Sequence, residues 1–264
     1  MKTILITGAT DGIGLETARL FAKEGHNILL HGRNYEKLEK IKNELLKTNE
    51  NIKTFVGDLS ILKSTKYLAQ EILSSTDKID VIINNAGVFV ADETTTKDGL
   101  DLRFAVNTIS PYLLTKMLLP ILSENGRVVN LSSAAQTNVD FNAMKTGRKL
   151  SHDSAYAQSK LAIVMWSMEL AKDLGEKAVV VSVNPKSFLG SKMVKTAYGR
   201  KGYDLSIGAN ILHRASLSDE FADKTGSYYD NDYEEFAKPH PFALNKSNRL
   251  ALIKTMDEVI SSII

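Results

Sequence analysis

Short apolar runs alternate along the chain with longer stretches in which apolar residues recur every three to four positions. The runs occupy residues 3–7, 27–31, 52–56, 79–84, 127–131 and 179–183. They are apolar throughout, which predicts strands covered on both faces. The helical stretches fall near 13–23, 35–47, 62–73, 99–122 and 155–174. Strand then helix, repeated, builds a parallel sheet with right-handed crossovers. A seventh short strand over 226–229 is expected at one edge. No Pro/Gly/Ser-rich linker and no internal repeat divides the 264 residues. The prediction is therefore one α/β domain over 1–264, a doubly wound parallel sheet of seven strands flanked by helices. Two segments break the alternation, 134–153 after the fifth strand and 186–203 after the sixth. Insertions at strand ends of such sheets commonly carry substrate loops.

Composition narrows the chemistry. Apolar residues make up 43% and charged residues 24%, as in an ordinary globule with a real core. There is no cysteine, which excludes disulfides, thiolate catalysis and thiolate-bound metal. The five histidines show no ligand-like spacing, so no metal is expected. A net charge of +2 speaks against a nucleic-acid partner. No apolar run approaches the ~18 residues of a membrane span. The opening MKTILITG enters a strand at once, without the layout of a signal peptide, and a cytoplasmic chain is expected.

The first strand runs into Thr7-Gly8-Ala9-Thr10-Asp11-Gly12-Ile13-Gly14. Glycines at 8, 12 and 14 permit a tight turn and close approach of backbone to a pyrophosphate, with the next helix presenting free N–H groups. A turn serving packing alone is the alternative. The second strand ends at Gly32-Arg33-Asn34, with no acid until Glu36. An NAD site usually has an acid here for the ribose 2′-hydroxyl, and an NADP site an Arg. Arg33 therefore favours NADP (NADPH); its alternative is a solvated residue at a strand end. The third strand ends Gly57-Asp58-Leu59, where the carboxylate suits an adenine amino group or a helix cap. The fourth ends Asn84-Asn85-Ala86-Gly87, small and amide residues that let backbone approach a cofactor or simply turn the chain.

Tyr156 and Lys160 lie four apart in a helical stretch, so both face one way. A free Tyr, with a pKa of about 10, is a poor base; a nearby ammonium stabilises the phenolate and makes it a usable acid/base. Ser132 and Ser133 end the fifth strand, where a hydroxyl holds a substrate oxygen or forms an ST-turn. Asn107 sits inside a helical stretch that Asn disfavours; it binds water, bends the helix or makes a structural hydrogen bond.

TGATDGIG, NNAG, Asn107, Ser133 and Tyr156-x-x-x-Lys160 together resemble the short-chain dehydrogenase/reductase family in order and spacing, over nearly the whole chain. The stretches from Asp98 to Asn107 and from Ala155 to Ala162, the long Ser-to-Tyr insertion and Thr225-Gly226-Ser227-Tyr228-Tyr229 look most like its retinol-dehydrogenase-like branch. The resemblance implies a Rossmann-type fold and hydride transfer between a nicotinamide and a carbonyl or alcohol substrate. Tyr156 is then the acid/base, Lys160 lowers its pKa and binds the nicotinamide ribose, Ser133 more than Ser132 orients the substrate oxygen, and Asn107 holds a relay water. It implies cofactor contacts at Thr10, Asp11, Ile13, Asn34, Leu59, Pro185 and Phe188 beside those above. A homodimer through the helix 155–174, using Met165, Trp166 and Met168, is the family's habit; burial on the chain's own neighbouring helix is the alternative.

One position departs from the family pattern. Lys186 follows Pro185 where Pro-Gly is usual, and a positive-φ backbone would be strained there. Both insertions are expected at the pocket mouth. Their Phe141, Met144, Phe188, Leu189, Met193, Tyr198 and Tyr203 suggest an apolar substrate. Eight cations (Lys145, Arg148, Lys149, Lys186, Lys192, Lys195, Arg200, Lys201) either lie solvated or steer an anionic one. The competing functions are a catalytically silent NADP-binding regulator and an isomerase or lyase with a retained cofactor.

Overall fold

Each of the seven apolar runs supplies a strand to one sheet in the computed structural model, which describes residues 1–264. The strands are β1 Thr3–Ile6, β2 Asn27–Gly32, β3 Ile52–Val56, β4 Ile79–Asn84, β5 Leu122–Leu131, β6 Ala178–Asn184, β7 Tyr228–Asp230 and β8 Glu235–Ala237. Their order is β3-β2-β1-β4-β5-β6-β7-β8, all parallel except β8, which pairs antiparallel with β7. The sheet thus has eight strands and not seven. β8 escapes a pattern reading because three residues hold too little periodicity; it is fixed by Phe236, whose ring packs 5.0 Å from those of Tyr229 and Phe221.

The helices are α1 Gly12–Lys23, α2 Tyr35–Leu45, α3 Leu62–Ser75, α4 Leu102–Phe104, α5 Ser110–Leu118, α6 Phe141–Thr146, α7 His152–Leu174, α8 Lys192–Tyr198, α9 Leu205–Leu217, α10 Pro241–Leu244 and α11 Lys246–Ile263. The continuous helix expected over 99–122 is interrupted. A π-helical turn, Ala105–Ile109, joins α4 to α5, and β5 already begins at Leu122. Alternation along β1 explains the two layers. Ile4 and Ile6 join Phe21, Leu212 and Val181 on one face, while Leu5 joins Leu68, Ile82 and Leu114 on the other. Full burial of each such side chain is worth roughly 1.5–3 kcal/mol. The direction of winding reverses between β1 and β4, which opens a crevice at their carboxyl ends.

Most of the apolar surface of α7 is used inside the chain. Met165 and Trp166 are fully buried, and Leu252, Met256 and Val259 of α11 complete the same cluster. Of the surface the sequence offers to a second copy, Met165 and Trp166 are covered from within the chain, while Met168 is only partly buried. No helix is long and apolar enough to cross a membrane.

Candidate active site

The turn between β1 and α1 is built for close backbone approach. Gly8 and Gly12 hold φ of +66° and +57°, and Asp11 caps α1 by accepting from the Gly12 N–H at 2.7 Å. A Cβ on Gly8 would stand 2.9 Å from the Ala86 Cα; one on Gly14 would stand 2.4 Å from both Asn85 Nδ2 and the Gly8 carbonyl oxygen. Asn85 braces the turn, donating Nδ2 to the Thr7 carbonyl at 2.8 Å and its backbone N–H to Thr7 Oγ1 at 3.0 Å. Gly32 is equally tight, since a Cβ there would lie 2.8 Å from the Thr10 methyl.

His31 ties three strand ends together. Its Nδ1 accepts from the Gly8 N–H at 3.4 Å, and its Nε2 reaches the Gly57 carbonyl at 3.0 Å. One neutral tautomer, with the proton on Nε2, satisfies both contacts. Burial holds its pKa down at about 4. Nothing local in the sequence marks this role, because the partners lie 23 and 26 residues away.

A cleft of about 430 Å³ runs along these strand ends. Of the expected cofactor residues, Gly8, Thr10, Asp11, Gly12, Ile13, Arg33, Asp58, Leu59, Asn85, Ala86, Gly87, Tyr156, Lys160 and Pro185 line it. Three stand elsewhere. Gly14 lies beneath Asn85, Asn34 caps α2 by accepting from the Lys37 N–H at 2.8 Å, and Phe188 faces a second cavity. The sequence reading missed His31, Gly32, the Val88–Val90 stretch, Val106, Ser191 and Thr196, and it expected Lys192 and Met193 at the substrate mouth, whereas both line this cleft. The donor set fits a dinucleotide phosphate. Arg33 is exposed on the rim with no carboxylate partner, which suits a 2′-phosphate. Asp58 spends Oδ1 on the Ser60 N–H and hydroxyl at 2.9 and 2.7 Å, and its other oxygen has no partner in the chain.

Across the cleft, the end of β5 meets α7. Lys160 is almost fully buried, and its Nζ donates to the Leu131 carbonyl at 2.7 Å. Burial pushes its pKa down to about 8. Tyr156 lies 5.7 Å, ring centre to Nζ, from Lys160. Its phenol is pushed up to about 12 by burial, against a smaller opposing pull from the neighbouring Ser133 hydroxyl. The sequence argument expected Lys160 to lower it; in the chain alone, loss of water around Tyr156 dominates and the phenol moves up. Ser132 is spent on structure, its hydroxyl donating to the Lys160 carbonyl at 2.8 Å. Ser133 accepts from the Ala135 N–H at 3.1 Å, so it also closes a turn, and it lines the second cavity with Tyr156. Asn107 lies in the π-turn. Its Oδ1 accepts from the Val88 N–H at 2.8 Å, and its Nδ2 donates to the Val88 carbonyl and Ser159 Oγ at 3.0 and 2.9 Å.

The second cavity, about 210 Å³, shares Tyr156, Ser132, Phe89 and Pro185 with the first. The two insertions contribute unequally. From 186–203 come Lys186, Phe188, Leu189, Met193 and Tyr198, whereas 134–153 contributes only Ala135. Phe141 instead packs 6.0 Å from Phe242, and Met144 is fully buried in the core. The first insertion is thus turned towards the C-terminal helices and not the pocket mouth. The cations divide likewise. Lys145 and Arg148 pair with Glu258 and Asp140, while none of the five in 186–203 has an ion-pair partner.

Comparisons with known proteins agree with this architecture. The family model described as short chain dehydrogenase matches residues 2–201. The chain is 35% identical to human Retinol dehydrogenase 13 over 253 residues, covering 87% of this chain and 76% of that protein. It is 30% identical to the chloroplastic Short-chain dehydrogenase TIC 32 A of Brassica napus, over 86% of this chain and 79% of the relative. Among solved structures, an uncharacterized protein from Mycobacterium paratuberculosis superposes with a TM-score of 0.83 at 25% identity, covering 99% of this chain and 94% of the other. A short chain dehydrogenase from Escherichia coli CFT073 complexed with NADPH gives a TM-score of 0.71 at 27% identity, over 87% and 96% of the two chains.

Proposed function

This chain belongs to the short chain dehydrogenase family, and from that premise we propose that it is an NADP-dependent oxidoreductase interconverting a carbonyl and an alcohol on a small, largely apolar molecule. The observation that carries the reading is the position of Tyr156 in the wall common to both cavities, with Ser133 on one side and Lys160 on the other. Bound NADP would supply the hydride donor or acceptor at its nicotinamide. Arg33 on the rim of the nucleotide cleft supports NADP over NAD, as does the related Escherichia coli enzyme solved with NADPH.

The protein's own part is positioning and proton transfer. Ser133 Oγ donates to the substrate oxygen and holds it against the phenol, a bond that strengthens as charge grows on that oxygen. Tyr156 Oη gives its proton to that oxygen in reduction and takes one back in oxidation. With its pKa at about 12, Tyr156 is protonated at neutral pH and is set for the reductive direction. Lys160 places a positive charge 5.7 Å from the phenol ring and lines the nucleotide cleft, where it would hold the nicotinamide ribose. Asn107 keeps one lone pair of Oδ1 beyond its bond from Val88, enough to hold the water of a relay through Lys160. Phe89 at 4.6 Å and Tyr198 beyond it give Tyr156 an aromatic wall that would shed water once substrate fills the cavity.

The deciding experiment is a panel of apolar aldehydes and ketones with NADPH and with NADH, followed at the nicotinamide absorbance. Oxidation of NADPH dependent on a carbonyl compound is the expected result. Tight NADPH binding with no turnover across the panel would instead make the chain a silent cofactor-binding protein.

A further inference from the structure

Lys186 occupies a backbone conformation that costs a side chain dearly. Its φ is +115°, in the region that favours glycine. The flanking residues leave it no choice. The Pro185 carbonyl accepts from Asn231 Nδ2 at 3.0 Å, and the Ser187 N–H donates to Asp232 Oδ1 at 2.9 Å. Asn184 Nδ2 donates to Asp230 and Asp232 at 2.7 and 2.9 Å, so the turn after β7 grips the chain on both sides of Lys186. Strain of this kind persists where neighbours over-determine it, and it collects at ligand sites.

The side chain carried on this strained backbone lines the second cavity, together with Ser133 and Tyr156. It is half-buried, and its ammonium forms no ion pair and no hydrogen bond within the chain; the ring of Tyr203 lies 5.9 Å from Nζ. Asp232 lies within reach of the Lys186 charge, but both of its carboxylate oxygens already accept from Ser187 or Asn184 and it forms no ion pair with Lys186. Of the five unpaired cations in this loop, Lys186 alone lines that cavity, and Lys192 faces the nucleotide cleft.

We propose that Lys186 is a specificity residue which anchors a carboxylate on the substrate, so that the preferred substrates are compact apolar carbonyl compounds bearing an acid group. This rests on the reading of the second cavity as the substrate site. Phe89, Phe188, Leu189 and Tyr198 take the apolar body, Ser133 and Tyr156 the carbonyl oxygen, and Lys186 the anionic end. At about 210 Å³ the cavity suits a small molecule better than a long chain.

The test compares a keto acid with its methyl ester, using wild type, Lys186→Met and Lys186→Arg at saturating NADPH. The acid-to-ester ratio of kcat/KM is expected to fall at least ~10-fold in Lys186→Met and to recover in Lys186→Arg, as for a charge-assisted contact. Raising the salt should lower the wild-type ratio. Lys186→Gly, which suits the backbone, should keep the wild-type melting temperature and still lose the preference. An unchanged ratio in Lys186→Met overturns the proposal. The same ratio read as calorimetric dissociation constants, with NADPH present, separates this idea from the oxidoreductase reading. Acid binding through Lys186 without reduction of either compound would uphold the anchor and sink the enzyme.

Discussion

Ser132 and Lys160 are laced together from both sides. Ser132 donates its hydroxyl to the Lys160 carbonyl at 2.8 Å, and Lys160 returns its ammonium to the carbonyl of Leu131, one residue before Ser132, at 2.7 Å. The pair fixes the distance between the end of β5 and the catalytic turn of α7, and it separates the duties of two adjacent serines. Ser132→Ala should cost about 1–2 kcal/mol of stability through the lost buried hydrogen bond, with a modest effect on rate. Ser133→Ala should leave the melting temperature nearly unchanged and lower kcat by ~10²-fold. Melting and kinetics on both variants check the assignment; the reverse pattern would move the substrate contact to Ser132.

Replacing Tyr156 by Phe keeps the ring against Phe89 and removes the proton. Turnover should drop by ~10²–10⁴-fold, while the dissociation constant for NADPH, measured by fluorescence, stays within a few-fold. Lys160 sets the pH dependence of the wild type. Its pKa is pushed down to about 8, so carbonyl reduction should hold level below that pH and decline above it as the ammonium is lost. Tyr156, at about 12, titrates too high to produce that decline. A profile flat to pH 10 would contradict the role given to the Lys160 charge.

Arg33 is the residue on which cofactor choice turns. Hydrogen bonds to a charged group are worth about 1.5–3 kcal/mol. Arg33→Asp should therefore reduce the NADPH-to-NADH ratio of kcat/KM by ~10-fold or more, and an acid at that place suits the ribose hydroxyl of NAD. Wild-type protein with equal kcat/KM for the two cofactors would sink the assignment.

His31 makes the nucleotide cleft sensitive to acid. Its pKa falls from 6.5 to about 4 on folding, so the unfolded chain takes up its proton first as the pH drops. The stabilisation is complete above about pH 6.5 and is lost as the pH falls through 6.5 towards 4, by roughly 3 kcal/mol in all. Urea midpoints at pH 7 and pH 4.5 should differ more for wild type than for His31→Gln. Equal differences would show that other groups govern acid unfolding.

Much of this molecule is legible before folding, for identifiable reasons. Strands buried on both faces leave unbroken apolar runs, and Tyr156 and Lys160 share a helix, where spacing alone decides which side chains meet. What escaped the sequence reading depends on partners distant along the chain. His31 looked like a strand end until Gly8 and Gly57 were brought to it. The eight loop cations looked equivalent, yet Glu258 and Asp140 neutralise two of them and leave the 186–203 group bare. Phe141 and Met144 seemed to be pocket residues until the helices beyond Ala237 were seen to claim them. The strain at Lys186 was foreseeable from the residue type; the grip of Asn231 and Asp232 that maintains it was not.

The crowded glycines have a consequence for genetics. At Gly32, a new methyl collides first with the Thr10 methyl, a removable group. Thr10→Ser deletes that methyl, so Gly32→Ala has a second-site suppressor within reach. At Gly14, the collision is with the Asn85 amide and, at the same 2.4 Å, with the Gly8 carbonyl oxygen. Trimming Asn85 clears one obstacle and leaves the other, because no substitution removes a backbone oxygen. A selection for revertants of Gly14→Ala should return restored glycine and little else, whereas the same selection on Gly32→Ala should uncover its partner.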